Sequence, residues 1–103
     1  MEIEQTIFTI ITYSGDAKNL FMKAIKLARE NDFELARSCL EQAEAKLDQA
    51  HQRQAQLIQL ESAGQKIEPT VLLVHGQDHL MTAMLMKDMA EEFIKLYFRL
   101  NSV

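Results

Sequence analysis

The run His75-Gly76-Gln77-Asp78-His79-Leu80-Met81-Thr82 places two of the chain's three histidines and an aspartate in an otherwise apolar stretch. Each residue of an α-helix turns by about 100°. His75, Asp78, His79 and Thr82, spaced i, i+3, i+4 and i+7, therefore fall on one side of a helix. Asp78 also belongs to a second line, Val71, Val74, Asp78, Met81 and Leu85, that is apolar at every other position. A carboxylate in an apolar seam is costly unless something pairs with it. An imidazole beside it can serve as nucleophile, base or ligand near neutral pH.

Several chemistries compete for this cluster. His75 and His79 at i and i+4 have the spacing with which two helical histidines share a metal, but a closed site needs further ligands, and no second His, Cys or Asp cluster supplies one. A Ser/His/Asp hydrolase lacks its nucleophile elbow, and no glycine-rich phosphate cradle is present. A histidine that is itself the nucleophile remains. Gly76 adds to the case, because a missing side chain next to His75 lets another backbone or a phosphate come near.

Three helical blocks must position these residues. The first carries Ile3, Ile7, Ile10 and Ile11 on one face, meets Tyr13-Ser14-Gly15-Asp16, and resumes with Leu20, Ala24, Ile25 and Ala28. Gly15 costs about 1 kcal/mol in a helix interior relative to alanine, which predicts one long interrupted helix with Asp16 available as a cap. Asn31-Asp32 forms the next break, and Asp32 is a good N-cap for a helix starting at Phe33. Phe33, Ala36, Leu40, Ala43, Leu47, Ala50 and Leu57 or Ile58 then form a stripe rich enough in alanine for a close neighbour. His51 lies near this stripe with no carboxylate beside it and reads as a surface or boundary residue. Gly64 suits the position just past a helix end, Gly64 to Pro69 reads as a loop, and Thr70 can cap a third helix from about Val71 to about Leu100.

Apolar residues nearly surround the first half of that third helix, from Val71 through Leu80, Met81 and Met84 to Met89. A helix apolar on most sides is buried on most sides, yet a three-helix monomer offers it only two neighbours. The excess predicts contact with other copies. The methionines Met81, Met84, Met86 and Met89 read first as core packing and second as an adaptable groove for a partner helix.

Composition sets the outer bounds. The 103 residues suffice for one domain over 1–103 with one core. Three glycines and one proline, with abundant Ala, Leu, Glu, Gln, Lys and Met, favour an all-α fold. The net charge of −4 and scattered Lys and Arg argue against nucleic acid as a partner. The single Cys39 permits no internal disulfide and reads as a buried thiol. The longest uninterrupted apolar runs, such as Val71–Val74, fall far below the roughly 20 residues that span a bilayer. The acidic start, with Glu2 and Glu4, does not resemble a secretory signal, so the expected location is the cytoplasm.

The octapeptide from His75 to Thr82, together with Tyr13-Ser14-Gly15-Asp16-Ala17 and the Asn31-Asp32-Phe33 break, resembles the lactose/cellobiose family of phosphotransferase-system IIA proteins. The likeness spans nearly the whole chain in the right order. It implies a three-helix antiparallel bundle, spectrin-repeat-like, assembling into a homotrimeric nine-helix bundle with the third helices around the axis. It further implies that His75 takes a phosphoryl group from the phosphocarrier HPr. His75 would hand it to a cysteine of the IIB component, for a sugar entering through the membrane IIC component: lactose, cellobiose or a related β-glucoside.

In this family the aspartate matching Asp78 faces the three-fold axis, where three copies share one cation, usually magnesium. Three axial carboxylates would repel one another, and a hard divalent cation ligated by oxygen would relieve that repulsion. Gln77 and His79 are the expected donors to the phosphoryl group, aided by the nearby helix N-terminus. Two other readings stand beside this one: a non-catalytic adaptor using the methionine-rich groove, and a metal-binding bundle holding zinc through His75 and His79.

Overall fold

The computed structural model of the protein describes residues 2–102, so the two end residues of the expected domain lie outside the described residues. Three α-helices, α1 (Ile3–Arg29), α2 (Phe33–Ser62) and α3 (Val71–Asn101), run up, down and up in a rod of 56 × 21 × 16 Å. No strand occurs among the described residues. The all-α antiparallel bundle is as expected.

Both turns use the same closing device. Asn31 adopts a left-handed φ of 66°, the N–H of Asn31 donates to the Ala28 carbonyl, and that of Asp32 to the Leu27 carbonyl. Gly64, at φ 102°, repeats the pattern with Gly64 donating to Glu61 and Gln65 to Leu60. Carbonyls left over at each helix end are thus satisfied. The next helix is capped directly after Asn31 and after a short loop beyond Gly64: Asp32 Oδ1 accepts the Leu35 N–H at 3.2 Å, and Thr70 Oγ1 accepts the Leu73 N–H at 3.1 Å. Short connections of this kind leave consecutive helices antiparallel and adjacent.

The interruption expected at Gly15 does not occur. α1 runs unbroken through it, and Asp16 is an exposed helical residue rather than a cap. Ile10, Ser14, Ala17 and Phe21 are all buried on either side of the glycine. That packing outweighs a propensity cost of about 1 kcal/mol, since tertiary burial of one face supplies most helix stability.

The core lies where α1 packs along both other helices, while α2 and α3 meet less extensively. α1 contributes Ile7, Ile10, Ala17 and Phe21; α2 contributes Ala43, Leu47, Ala50 and Leu57. The alanine stripe of α2 is fully covered, which lets the helices approach closely. Of the two stripe candidates, Leu57 is buried and Ile58 is exposed. At the far end Phe33 and Phe98 meet edge to face, with centroids 5.2 Å apart, an arrangement favoured by the ring quadrupoles.

α3 buries only Gly76, Leu80, Ala83 and Ala90 within the subunit. Val71 is 87% exposed and Met81 and Leu85 are each 62% exposed. Of the four methionines read as core, Met86 is half-buried and packs against the subunit core, whereas Met81, Met84 and Met89 are exposed. The side carrying Met81, Met84 and Met89 faces away from α1 and α2, and the opposite side of α3 meets the core through Gly76, Leu80, Ala83 and Ala90.

Gly76 shows how tightly α3 sits on α1. A Cβ added there would lie 3.1 Å from Ile7 Cγ2 and 3.7 Å from Ile11 Cγ1. Glycine is needed here for closeness of approach and not for backbone conformation. Gly76→Leu is therefore expected to cost about 1–3 kcal/mol through overpacking. Thermal unfolding at fixed protein concentration should then move down by roughly 4–8 °C per kcal/mol. An unchanged midpoint would contradict the close contact.

Candidate functional site

The octapeptide occupies the second and third turns of α3, after the Thr70 cap. Gly76 and Leu80 turn inward against α1, and this fixes the rotation of the helix. His75 is thereby left exposed, His79 half-buried, and Asp78 exposed between them. The two imidazoles touch edge to face, with ring centroids 4.5 Å apart and planes 84° to each other.

The His79 ring is held from α1. Lys18 Nζ lies 2.8 Å from His79 Nδ1 and donates to Thr82 Oγ1 at 3.0 Å. The Thr82 hydroxyl in turn reaches the carbonyls of Asp78 at 2.9 Å and His79 at 3.1 Å. Partial burial, then the charge of Lys18, then the neighbouring His75, hold the His79 pKa below its ordinary value, against an opposing pull from Asp78. His79 therefore favours the neutral ring. Gln77 is half-buried, and its Oε1 accepts from Gln54 Nε2 of α2 at 3.0 Å. That contact orients the amide and leaves its NH2 available as a donor.

All four residues singled out from the sequence, His75, Gln77, Asp78 and His79, sit on two adjoining turns, but they do not act on one point. His75 and His79 form the pair. Gln77 is turned toward α2. Asp78 lies on the exposed apolar strip with Val71, Val74, Met81 and Leu85. His51 is exposed on α2 and does not join them. Nor does the Tyr13–Asp16 segment: Ser14 is buried, and the Tyr13 ring receives Lys46 at 5.4 Å.

Two expectations change. Phosphate support from the helix N-terminus is weaker than expected, because the Thr70 hydroxyl takes the Leu73 N–H and the Thr70 carbonyl takes the Val74 N–H. The dipole effect also falls off within the first turn. The shared zinc site fits poorly: the rings are nearly perpendicular and an ammonium group sits on His79 Nδ1. No group of three His, Cys, Asp or Glu that could hold a metal is found within the subunit among the described residues.

Lys18 and Gln54 are the participants that sequence reasoning missed. Lys18 directly follows Tyr13-Ser14-Gly15-Asp16-Ala17, and its position on the up-running α1 brings it level with the His79–Thr82 turn. The only signal was that register. Gln54 had a signal in its place: four residues after Ala50 and three before Leu57, it is a polar, half-buried residue within the apolar stripe of α2.

The fold and site together define a small helical bundle that displays a supported imidazole on its surface, beside an uncovered apolar helix face. Residues 5–98 match the family described as "PTS system, Lactose/Cellobiose specific IIA subunit", and the chain belongs to that family. It is similar to the lichenan-specific phosphotransferase enzyme IIA component of Bacillus subtilis (strain 168), at 48% identity over 100 residues, covering 97% of this chain and 91% of that protein. The crystal structure of the cellobiose-specific enzyme IIA from Bacillus anthracis superposes with a TM-score of 0.96 at 39% identity, covering 99% of this chain and 94% of that one. A chitobiose IIA solved in complex with HPr, from the Escherichia coli phosphotransferase system, gives a TM-score of 0.83 at 34% identity, with 98% of each chain covered. The protein is a IIA component of a sugar phosphotransferase system. No helix among the described residues is long and apolar enough to cross a membrane.

Proposed function

We propose that His75 carries the phosphoryl group of this IIA component. The observation that carries the reading is the exposed His75 ring set against a half-buried, lysine-anchored His79. A ring nitrogen of neutral His75 attacks the phosphorus of the phosphohistidine on HPr. The N–P bond to the carrier breaks as the new one forms, and the carrier's imidazole keeps the electron pair. A cysteine thiolate of IIB then attacks the same phosphorus, forming an S–P bond and returning the electron pair to His75. Positioning and electrostatics account for such transfers. The group finally reaches lactose, cellobiose or a related β-glucoside entering through IIC. The kinship with a IIA protein solved in complex with HPr supports the first partner.

We further propose a homotrimer built on the exposed face of α3. Val71, Val74, Met81 and Leu85 form an apolar strip, broken by one residue, that is too exposed for a subunit that stays alone. Asp78 sits in its middle. Three copies would bring three carboxylates together, and an oxygen donor set of that kind fits a hard cation such as Mg2+. The ion would offset most of the carboxylates' mutual repulsion and fix the register of the assembly.

The test is a relay reconstituted without sugar. The chain should take label from phosphorylated HPr and lose it when the cognate IIB is added. Label that never arrives, or that stays in place with IIB present, contradicts the proposal.

A further inference from the structure

We infer that Lys18 is a positioning residue for the phosphorylated state, fixing the His79 ring so that it presents an N–H donor beside His75. The inference rests on the proposed role of His75. An ammonium group only donates hydrogen bonds. Its 2.8 Å contact with His79 Nδ1 therefore requires that nitrogen to be the bare acceptor, and the neutral ring must carry its proton on Nε2. Which ring nitrogen is protonated is set by the bond the other one makes. The lysine is itself held by a second acceptor, Thr82 Oγ1 at 3.0 Å, and the Thr82 proton is committed to carbonyls of the same helix. The chain of donors thus runs in one sense, from α1 into the His79 ring.

His79 in turn touches the His75 ring at 4.5 Å, edge to face. A phosphoryl group on His75 brings about two negative charges into this corner. It would meet a prepared N–H donor on His79 with a fixed positive charge one imidazole further back. Charge-assisted bonds of this kind are about twice as strong as neutral ones. Without Lys18 the tautomer of His79 is no longer fixed, and the form protonated on Nδ1 offers the phosphoryl group a lone pair instead of a proton.

The experiment compares the full-length wild type with Lys18→Met and Lys18→Arg, all labelled with 15N-histidine. Tautomers are first read by long-range 1H–15N correlation on unphosphorylated protein, above the pH range in which histidine titrates. The lifetime of the phosphohistidine is then followed after loading from phosphorylated HPr. Wild type and Lys18→Arg should show His79 with its proton on Nε2. Lys18→Met should show a tautomer mixture and a phosphohistidine lifetime shortened about tenfold, as expected for loss of one charge-assisted hydrogen bond. A wild-type His79 protonated on Nδ1, an unchanged lifetime in Lys18→Met, or equal losses in both variants would overturn the inference. A wild type that accepts no phosphoryl group would defeat the proposed function as well, whereas a wrong tautomer would defeat this inference alone.

Discussion

Replacing His75 with glutamine should leave a folded helical protein that takes no phosphoryl group from phosphorylated HPr. The ring is exposed and meets the His79 ring edge to face, so its removal leaves the Ile7, Phe21 and Leu80 core untouched. Exposed substitutions away from packed or strained features usually change stability by no more than about 0.5 kcal/mol. The effect on transfer is of another order. The nucleophile supplies the bond that is made, and an amide nitrogen offers no comparable lone pair. Helicity and the thermal midpoint should match wild type while labelling falls to background. His79→Gln serves as the contrast, because it removes a neighbour of the reacting group and not the group itself. Labelling that persists in His75→Gln and vanishes in His79→Gln would transfer the assignment to His79.

The second large effect concerns Asp78. In the proposed trimer Asp78→Leu removes three like charges from an apolar axis and continues the strip of Val74, Met81 and Leu85. Replacing buried charged groups by well-packed apolar ones is often neutral or stabilising by about 1–4 kcal/mol. Sedimentation equilibrium should show a trimer at least as resistant to dilution as the wild type. Thermal unfolding of the wild type should respond to added magnesium, because a ligand bound only by the folded assembly stabilises it. The variant should not respond. Monomers in both proteins would end the axial account, and so would a magnesium response retained by the variant.

The helices and their ends were legible because each depends on local chemistry. Asp32 and Thr70 cap the helices that their sequence positions announce, and Gly64 takes the positive φ that its place after α2 suggests. The octapeptide was equally legible, since helical spacing alone puts His75 and His79 on one side and Asp78 on an apolar line. Gly15 misled because propensity is a local quantity, while continuity of α1 is settled by buried neighbours in other helices. The methionines divide for the same reason: Met86 packs against the subunit core, and Met81, Met84 and Met89 do not. Periodicity identifies an apolar side, but it does not say whether that side is covered by the same chain or left open, and α3 turns Gly76 and Leu80 inward while Met81 and Met84 stay outside. Lys18 escaped because the pairing of α1 with α3 joins residues far apart in the chain. Only the packed bundle sets that register.

The central claim is that one residue, His75, holds the phosphoryl group in transit. It is tested most directly by loading the wild-type chain from phosphorylated HPr, digesting it under alkaline conditions that preserve phosphohistidine, and locating the modification by mass spectrometry. One phosphoryl group per chain is expected, on His75, labile in acid, with none on His51 or His79. Phosphate found on either of those histidines, or on a serine or threonine, would contradict the account.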